Sequence, residues 1–341
     1  MSGKGLRSAL AAAAAARLSY TALGTRPPAG KHAWTRTNHR GEPITLLEGP
    51  AVAIGGVTGA LLAAGGSQRQ QVAMAVAGAG AAAFGGYDDL AGDGSSKGFR
   101  GHLGALRKGE LTTGAVKIAG IGATGLAAAL VGSNGSANRD RQRGGAALAV
   151  LDTAVNAGLI AGMANLLNLF DLRPGRAIKV AIGTGGIMAA LPGGAGEASA
   201  APLAAAIALL PEDLGERSML GDSGANAVGA MLGVAATRLP RLARIGLLAT
   251  VTGLTAASEV VSFTSVIERT AALRWLDMLG RRPAAPPATA GPSAATAAPS
   301  QASAQAGSTH TRRDAATGGP AVTAAGSATR DANGMPAAGH R

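Results

Sequence analysis

The sequence predicts an all-α membrane protein, a bundle of about nine to ten transmembrane helices followed by a disordered C-terminal tail. The placement of charge is the first reason. Charged residues make up 15% of the 341 and fall in short clusters between long stretches of Ala, Gly, Val, Leu and Ile, and apolar stretches flanked by charged clusters are the pattern of bilayer-crossing helices. Composition agrees, with 47% hydrophobic residues and a mean hydropathy of +0.22. The third reason is the end of the chain, where residues 283–341 turn to Ala, Pro, Ser, Thr and Gly with scattered charges and no apolar periodicity. Such a segment buries too little surface to offset the entropy of ordering it. A membrane domain over 1–282 and a tail over 283–341 are therefore expected.

Nine stretches read as spans: 6–23, 49–66, 70–87, 114–132, 145–166, 177–191, 196–210, 219–236 and 243–264. Several are shorter than the ~20 helical residues that a bilayer core requires. Aromatic residues are only 2% of the chain, so interfacial Trp and Tyr belts are nearly absent. Small residues instead let helix backbones approach closely, which suits a bundle held by van der Waals contact. A soluble alanine-rich helical protein is the plainer alternative.

The absence of cysteine excludes a disulfide framework and a zinc site of cysteine type. The net charge of +12 does not read as nucleic-acid binding, since the basic residues sit in short loops rather than on one face with aromatics for stacking. They read as topology determinants. The loops after spans 1, 3, 5, 7 and 9 hold Arg26 to Arg40, Lys97 to Lys108, Arg173 to Lys179, Arg217, and Arg269 to Arg282, which places them in the cytoplasm. Lys4 and Arg7 before the Ala-rich run of span 1 fit a signal peptide or signal anchor as well.

The same side collects the carboxylates at helix ends: Asp88 and Asp89 after span 3, Asp171 after span 5, and Asp222 at the head of span 8. A carboxylate beside hydrocarbon is costly unless it is paired, metal-bound or turned to a polar cavity. An adjacent Asp pair with a third Asp from another helix offers the oxygen ligands that Mg²⁺ takes, leaving coordination positions for water and phosphate. Plainer roles exist for each. Asp222 suits a helix cap, Asp88 and Asp89 suit a solvated loop, and Asn165 and Asn168, one turn apart, suit a hydrogen-bonded pair at a helix end.

In order along the chain, GGYDDLAGDGSSKG, GELTTGAVKIAG, NLLNLFDLRPG and LGDSGANAVGAMLG resemble the motif set of the polyprenyl-phosphate N-acetylhexosamine-1-phosphate transferase family, in its phospho-N-acetylmuramoyl-pentapeptide transferase-like branch. In that family an Asp pair follows the third span, an NxxNxxD motif ends a middle span and a GDxGS motif opens a later one. TNHRGEPITLLEGPAVAIGGV resembles the stretch leading into the family's Gly-Gly element, here Gly55 and Gly56, and SEVVSFTSVIERTAALRW resembles its long ninth helix. The resemblance runs from about residue 36 to 280. The chain departs from the pattern in four places. Pro174 replaces the second Asp of DGxDG, an Asp associated in the family with binding the uridine base, and Ala225 ends GDSGA in place of Ser. No His occurs between His102 and His310, and no tenth span follows. A muramoyl-pentapeptide substrate is disfavoured on these grounds.

The resemblance implies Mg²⁺-dependent transfer of a sugar 1-phosphate from a nucleotide diphospho-sugar to polyprenyl phosphate, at the cytoplasmic face of the cell membrane, in cell-envelope polysaccharide or peptidoglycan precursor synthesis. The expected catalytic set is Asp88, Asp89 and Asp222. Asp89 and Asp222 hold the metal and Asp88 orients or deprotonates the lipid phosphate. Asn165, Asn168 and Asp171 line the nucleotide side, while Lys97 and Lys117 meet phosphates as point charges. The expected partners are the lipid, the nucleotide sugar and the membrane, with a homodimer compatible and nucleic acid excluded. A membrane scaffold or regulator that kept the fold and lost catalysis is the second expectation. A transporter is the third, disfavoured because no ionisable residue lies clearly at mid-span.

Overall fold

The structure, a computed structural model, describes residues 3–63, 67–92, 109, 112–133 and 135–283. The chain divides into two units, Met1–Ala284 and Ala285–Arg341. The second unit lies outside the described residues, as do Lys97 and the expected tail beyond Pro283.

The first unit is mostly helical, as expected, with twelve α-helices among the described residues. They are α1 (Gly3–Thr25), α2 (Glu48–Leu61), α3 (Gln68–Ala91), α4 (Thr113–Gly132), α5 (Gly135–Phe170), α6 (Arg176–Ala190), α7 (Ala195–Ala198), α8 (Ala200–Leu214), α9 (Gly221–Ala236), α10 (Arg241–Ser258), α11 (Phe263–Arg269) and α12 (Ala271–Met278). Each of the nine apolar stretches contains a helix. The all-α reading needs one small correction, since β1 (Thr35–Thr37) and β2 (Pro43–Thr45) form an antiparallel hairpin. Its turn is tied by Asn38, whose Oδ1 accepts from the Arg40 and Glu42 amides at 2.9 and 2.8 Å. An Asx turn of this kind gives the backbone a local alternative to helix.

Two helices, Thr113–Gly132 and Gly145–Phe170, are long and apolar enough to cross a membrane. The pair Arg241–Ser258 and Phe263–Arg269 makes a third if read as one broken span. α2, α6, α8 and α9 have 14, 15, 15 and 16 residues, short of the ~20 that span a hydrocarbon core. α1 and α3 have the length but fall short in composition. The expected ninth span also differs in form. It breaks between Ser258 and Phe263 with a bend of 94°, where the β-branched pair Val260 and Val261 is followed by Ser262, whose side chain caps α11 by accepting from the Ser265 amide. The stretch that resembles one long helix thus begins at the last residue of α10 and holds two short helices, α11 and α12, separated by Thr270 in extended conformation.

α9 is the centre of the bundle. Every residue of it except Asp222 is buried, and it packs on α2, α3 and α5. A helix apolar on all sides belongs in an interior. Glycines set how close the neighbours come: a Cβ on Gly229 would fall 2.7 Å from the Ala164 Cα, one on Gly233 2.5 Å from the Ile160 Cα, and one on Gly224 2.6 Å from the Gly49 Cα. Large apolar side chains such as Leu10, Leu18, Leu130, Leu151, Ile187 and Leu242 point outward, an apolar exterior of the kind that marks a protein or membrane contact.

Loops gather at two ends. At one end, Thr45 bridges to Ser218, Arg40 pairs with Glu216 at 2.9 Å, Arg282 with Glu42 at 2.7 Å, and Arg176 with Asp277 at 2.7 Å. These contacts join the segments after α1, α5, α8 and α11. At the other end, Arg69 reaches Ser133, Arg238 reaches Gly193 and Arg244 reaches Asn156. Successive long helices therefore alternate in direction, as the reading of spans expects.

Candidate functional site

The carboxylates singled out by sequence meet at the first of these ends, built by the C-terminus of α3 and the N-terminus of α9. Gly85 makes the approach: a Cβ there would lie 2.5 Å from the carbonyl carbon of Asp222. Asp89 then reaches across, its Oδ1 accepting from the Asp222 amide at 3.0 Å and its Oδ2 from the Ser223 amide at 2.9 Å. A carboxylate at this position satisfies amides left without helical partners and complements the positive end of the helix dipole. Gly221, at φ +59°, leaves room for it, since a Cβ there would meet both Asp89 oxygens at 3.1 Å. The cap of α9 thus comes from another helix, and Asp222 makes no cap of its own.

Asp222 turns outward instead. Its Oδ2 lies 2.5 Å from the Lys117 Nζ, and the Asp88 Oδ2 lies 2.6 Å from the same nitrogen. Three helices contribute: α3 gives Asp88, α9 gives Asp222 and α4 gives Lys117 one turn inside its start. The Thr113 hydroxyl adds a hydrogen bond to Asp88. All three charged side chains keep some access to solvent, with 16%, 25% and 15% exposure respectively. An ammonium between two carboxylates is a compact point charge with three donors, and its position marks where both carboxylates aim. The Arg36 guanidinium donates to the Asp89 carbonyl and fastens the β1 hairpin to the same corner.

Asp171 is brought to the underside of this corner. It is 7% exposed, receives a hydrogen bond from the Gly221 amide, and has one carboxylate oxygen, Oδ2, without a hydrogen-bond partner. Burial first, and then the charges of Asp213, Asp222 and Asp89, push its pKa well up. Sequence reasoning missed two further buried acids near it, Glu48 and Asp213. Glu48 is fully buried and accepts from the Ser218 hydroxyl at 2.6 Å. Asp213 is 2% exposed and is bonded to the Gly175 amide. The signal available was a lone acid beside an apolar run in TLLEGPAV and an adjacent acidic pair, Glu212 and Asp213, in ALLPEDLG.

The contacts of the two asparagines lie elsewhere. The Asn165 amide donates to the Thr255 hydroxyl at 3.3 Å, so it links α5 to α10 within the bundle. The Asn168 carbonyl accepts from the Asp171 amide at 3.2 Å, closing the last turn of α5. Neither contact brings these side chains to the Asp88, Lys117 and Asp222 group. Lys97 lies outside the described residues.

Among the described residues no group of three or more His, Cys, Asp or Glu side chains is arranged to hold a metal ion. Asp88 and Asp222 nevertheless fit a divalent cation of the magnesium type, which binds through one or two carboxylates and fills its remaining positions with water and phosphate. Both aim one oxygen at a single cationic atom, whereas both oxygens of Asp89 are engaged by backbone amides. The pair that converges is therefore Asp88 and Asp222, not the expected Asp89 and Asp222. Among known proteins, no family model matches the chain and no curated protein matches it.

Proposed function

We propose that the chain is a multi-pass cell-membrane protein of about nine spans, with a disordered tail after residue 282, that transfers a sugar 1-phosphate from a nucleotide diphospho-sugar to a polyprenyl phosphate. The observation that carries the reading is the convergence of Asp88 and Asp222 on one cation at the polar end of the bundle. The sequence motifs that resemble the polyprenyl-phosphate N-acetylhexosamine-1-phosphate transferases contribute both of these residues. The same end gathers Arg36, Arg40, Arg173, Arg176, Lys179, Arg217, Arg281 and Arg282, which agrees with a cytoplasmic face and with substrates that carry phosphate.

Asp88 and Asp222 would hold Mg²⁺, which when bound supplies neutralisation of the diphosphate charge. The remaining work falls to the chain itself. Lys117 offers phosphate a positive charge on a flexible stem. Asp89 fixes the backbone that carries Asp222, and Asp171 supports Gly221 from below. A phosphate acceptor is anionic at neutral pH, so positioning it matters more than deprotonating it. The apolar walls between the helices hold the prenyl chain. A homodimer is compatible with this reading.

The test is direct assay of the purified chain with a panel of UDP- and CDP-sugars and undecaprenyl or decaprenyl phosphate. Asp222→Asn and Asp88→Asn are expected to lower Mg²⁺-dependent turnover ~100-fold or more. If both variants complement a deletion strain as well as the unmodified protein, the catalytic reading is wrong. A scaffold that kept the fold without catalysis is the second reading, and one observation favours it: Lys117 already satisfies both carboxylates. It predicts no Mg²⁺ dependence.

A further inference from the structure

The arrangement of Lys117 carries more than a phosphate contact. Its Nζ sits 2.6 Å from Asp88 and 2.5 Å from Asp222, at the one point where both carboxylates aim. These two carboxylates, 16% and 25% exposed, also share a side-chain hydrogen bond, and ionising both at once requires a cation between them. A lysine reaching in from α4 supplies that cation from within the chain. The side chain is unbranched and held only by these two ion pairs among the described contacts, so it can leave if another anion receives it. The neighbouring acid offers no alternative seat, because both Asp89 oxygens are taken by the Asp222 and Ser223 amides.

We propose that Lys117 is a built-in counter-cation that occupies the divalent-metal position between Asp88 and Asp222, so that metal entry requires the ammonium to move away toward an anionic phosphate. This rests on the metal-binding reading given above. Metal and diphosphate then assist each other's binding: the metal displaces the lysine and the phosphate accepts it, which is a coupling between two ligands through one side chain. Without phosphate, metal binding is held down by competition. An unproductive divalent ion is thereby kept out of the resting site.

The probe is Mn²⁺, followed by the loss of its free electron paramagnetic resonance signal on binding to the purified full chain. Lys117→Met keeps the length of the side chain and removes its charge, and is expected to tighten Mn²⁺ binding by about tenfold or more, since a unit charge a few ångströms away contributes several kcal/mol near a protein surface. Asp222→Asn is expected to abolish tight binding. Unchanged or weaker binding in Lys117→Met, with Asp222→Asn still abolishing it, overturns the counter-cation role and leaves the metal site standing. Mn²⁺ binding that ignores both Asp88→Asn and Asp222→Asn sinks the metal reading itself. A second measurement uses the unmodified protein. Acetic anhydride labelling of Lys117, read by mass spectrometry, is expected to rise at least about twofold when Mn²⁺ is added, because displacement frees the amine. Labelling that stays the same or falls refutes displacement even if the methionine variant does not fold.

Discussion

Asp89, in the last turn of α3, and Asp222, in the first turn of α9, meet at one helix start, yet the structure gives them opposite energetic weights. Asp89→Asn replaces one of the two oxygens that accept the Asp222 and Ser223 amides with an amide nitrogen that faces a donor. The loss of a cap costs about 1 kcal/mol, loss of the charge at a partly buried helix N-terminus a further 0.3 to about 2 kcal/mol, and a donor left facing a donor about 1–3 kcal/mol. These overlap, so about 2–4 kcal/mol is the expected loss. At about 2–4 °C per kcal/mol for a chain of this size, the unfolding midpoint in detergent falls by roughly 4 °C or more. Asp222→Asn removes no cap, because the Asp222 side chain makes none, and although it gives up one ion pair to Lys117, Asp88 keeps the other. Its midpoint is expected within about 1 °C of the unmodified protein, on the scale of a surface substitution. Thermal unfolding followed by tryptophan fluorescence compares the two variants side by side. Equal destabilisation by both, or a neutral Asp89→Asn, would refute the assignment of the cap to Asp89.

Gly85→Ala places a methyl 2.5 Å from the Asp222 carbonyl carbon, so α3 and α9 must separate; stability is expected to fall by about 1–3 kcal/mol, and Mn²⁺ binding to weaken along with it. Asp277 is held below the usual carboxylate range: burial opposes its ionisation, but the Arg176 hydrogen bond and the charges of Arg176, Arg281 and Lys179 outweigh burial. A depressed folded pKa gives stability that is complete above the unfolded value of about 3.9 and disappears as pH falls through the folded value. Protection of Ala271–Met278 against hydrogen exchange, taken relative to the intrinsic rate at each pH, is therefore expected to fall as pH drops below about 4, and Arg176→Met to produce the same loss at neutral pH by stranding a buried charge; protection that persists in both tests refutes a stabilising role for the Arg176–Asp277 pair. Reporters fused after Arg217 and after Arg282 are expected to report cytoplasm, and one near Asn138 the opposite side; finding all three on one side would overturn the topology.

The period and placement of apolar runs made the helices legible, because each run had to bury against a neighbour, and the charge clusters between them marked where the chain turns. The break at Ser258 was not legible, since Val260 and Val261 are ordinary residues in an apolar helix until Ser262 caps the next one. Within the site, the meeting of Asp88, Asp89 and Asp222 at one end was visible from alternation alone. Their division of labour was not. Which carboxylate caps α9 and which meets Lys117 depends on how deeply α3 and α9 approach at Gly85, a distance that no motif encodes. The Asn165 contact with Thr255 was not legible for a related reason: at the end of α5 the spacing does not say which side faces α10. Glu48 and Asp213 escaped notice because acids beside an apolar run carry no pattern of their own, although both are buried near Asp171.

The backbone-close contacts of α9 with α2, α3 and α5 have a mechanical consequence. Where Gly49 and Gly224, or Gly233 and Ile160, meet without side chains between them, no rotamer can flip to take up a displacement, and these helices behave as one stiff body. Interiors packed this tightly transmit strain and do not yield to it. Asp222 rides on that body, and so does the base of Asp88. Any change in the gap between the two carboxylates must then come from outside it, at the last turn of α3 beyond Gly85. α4 touches α9 only lightly but packs along α3 and α5, so it is tied to the same body. Lys117 therefore enters or leaves the gap on its own flexible side chain, while the wall that carries Asp222 serves as the fixed jaw.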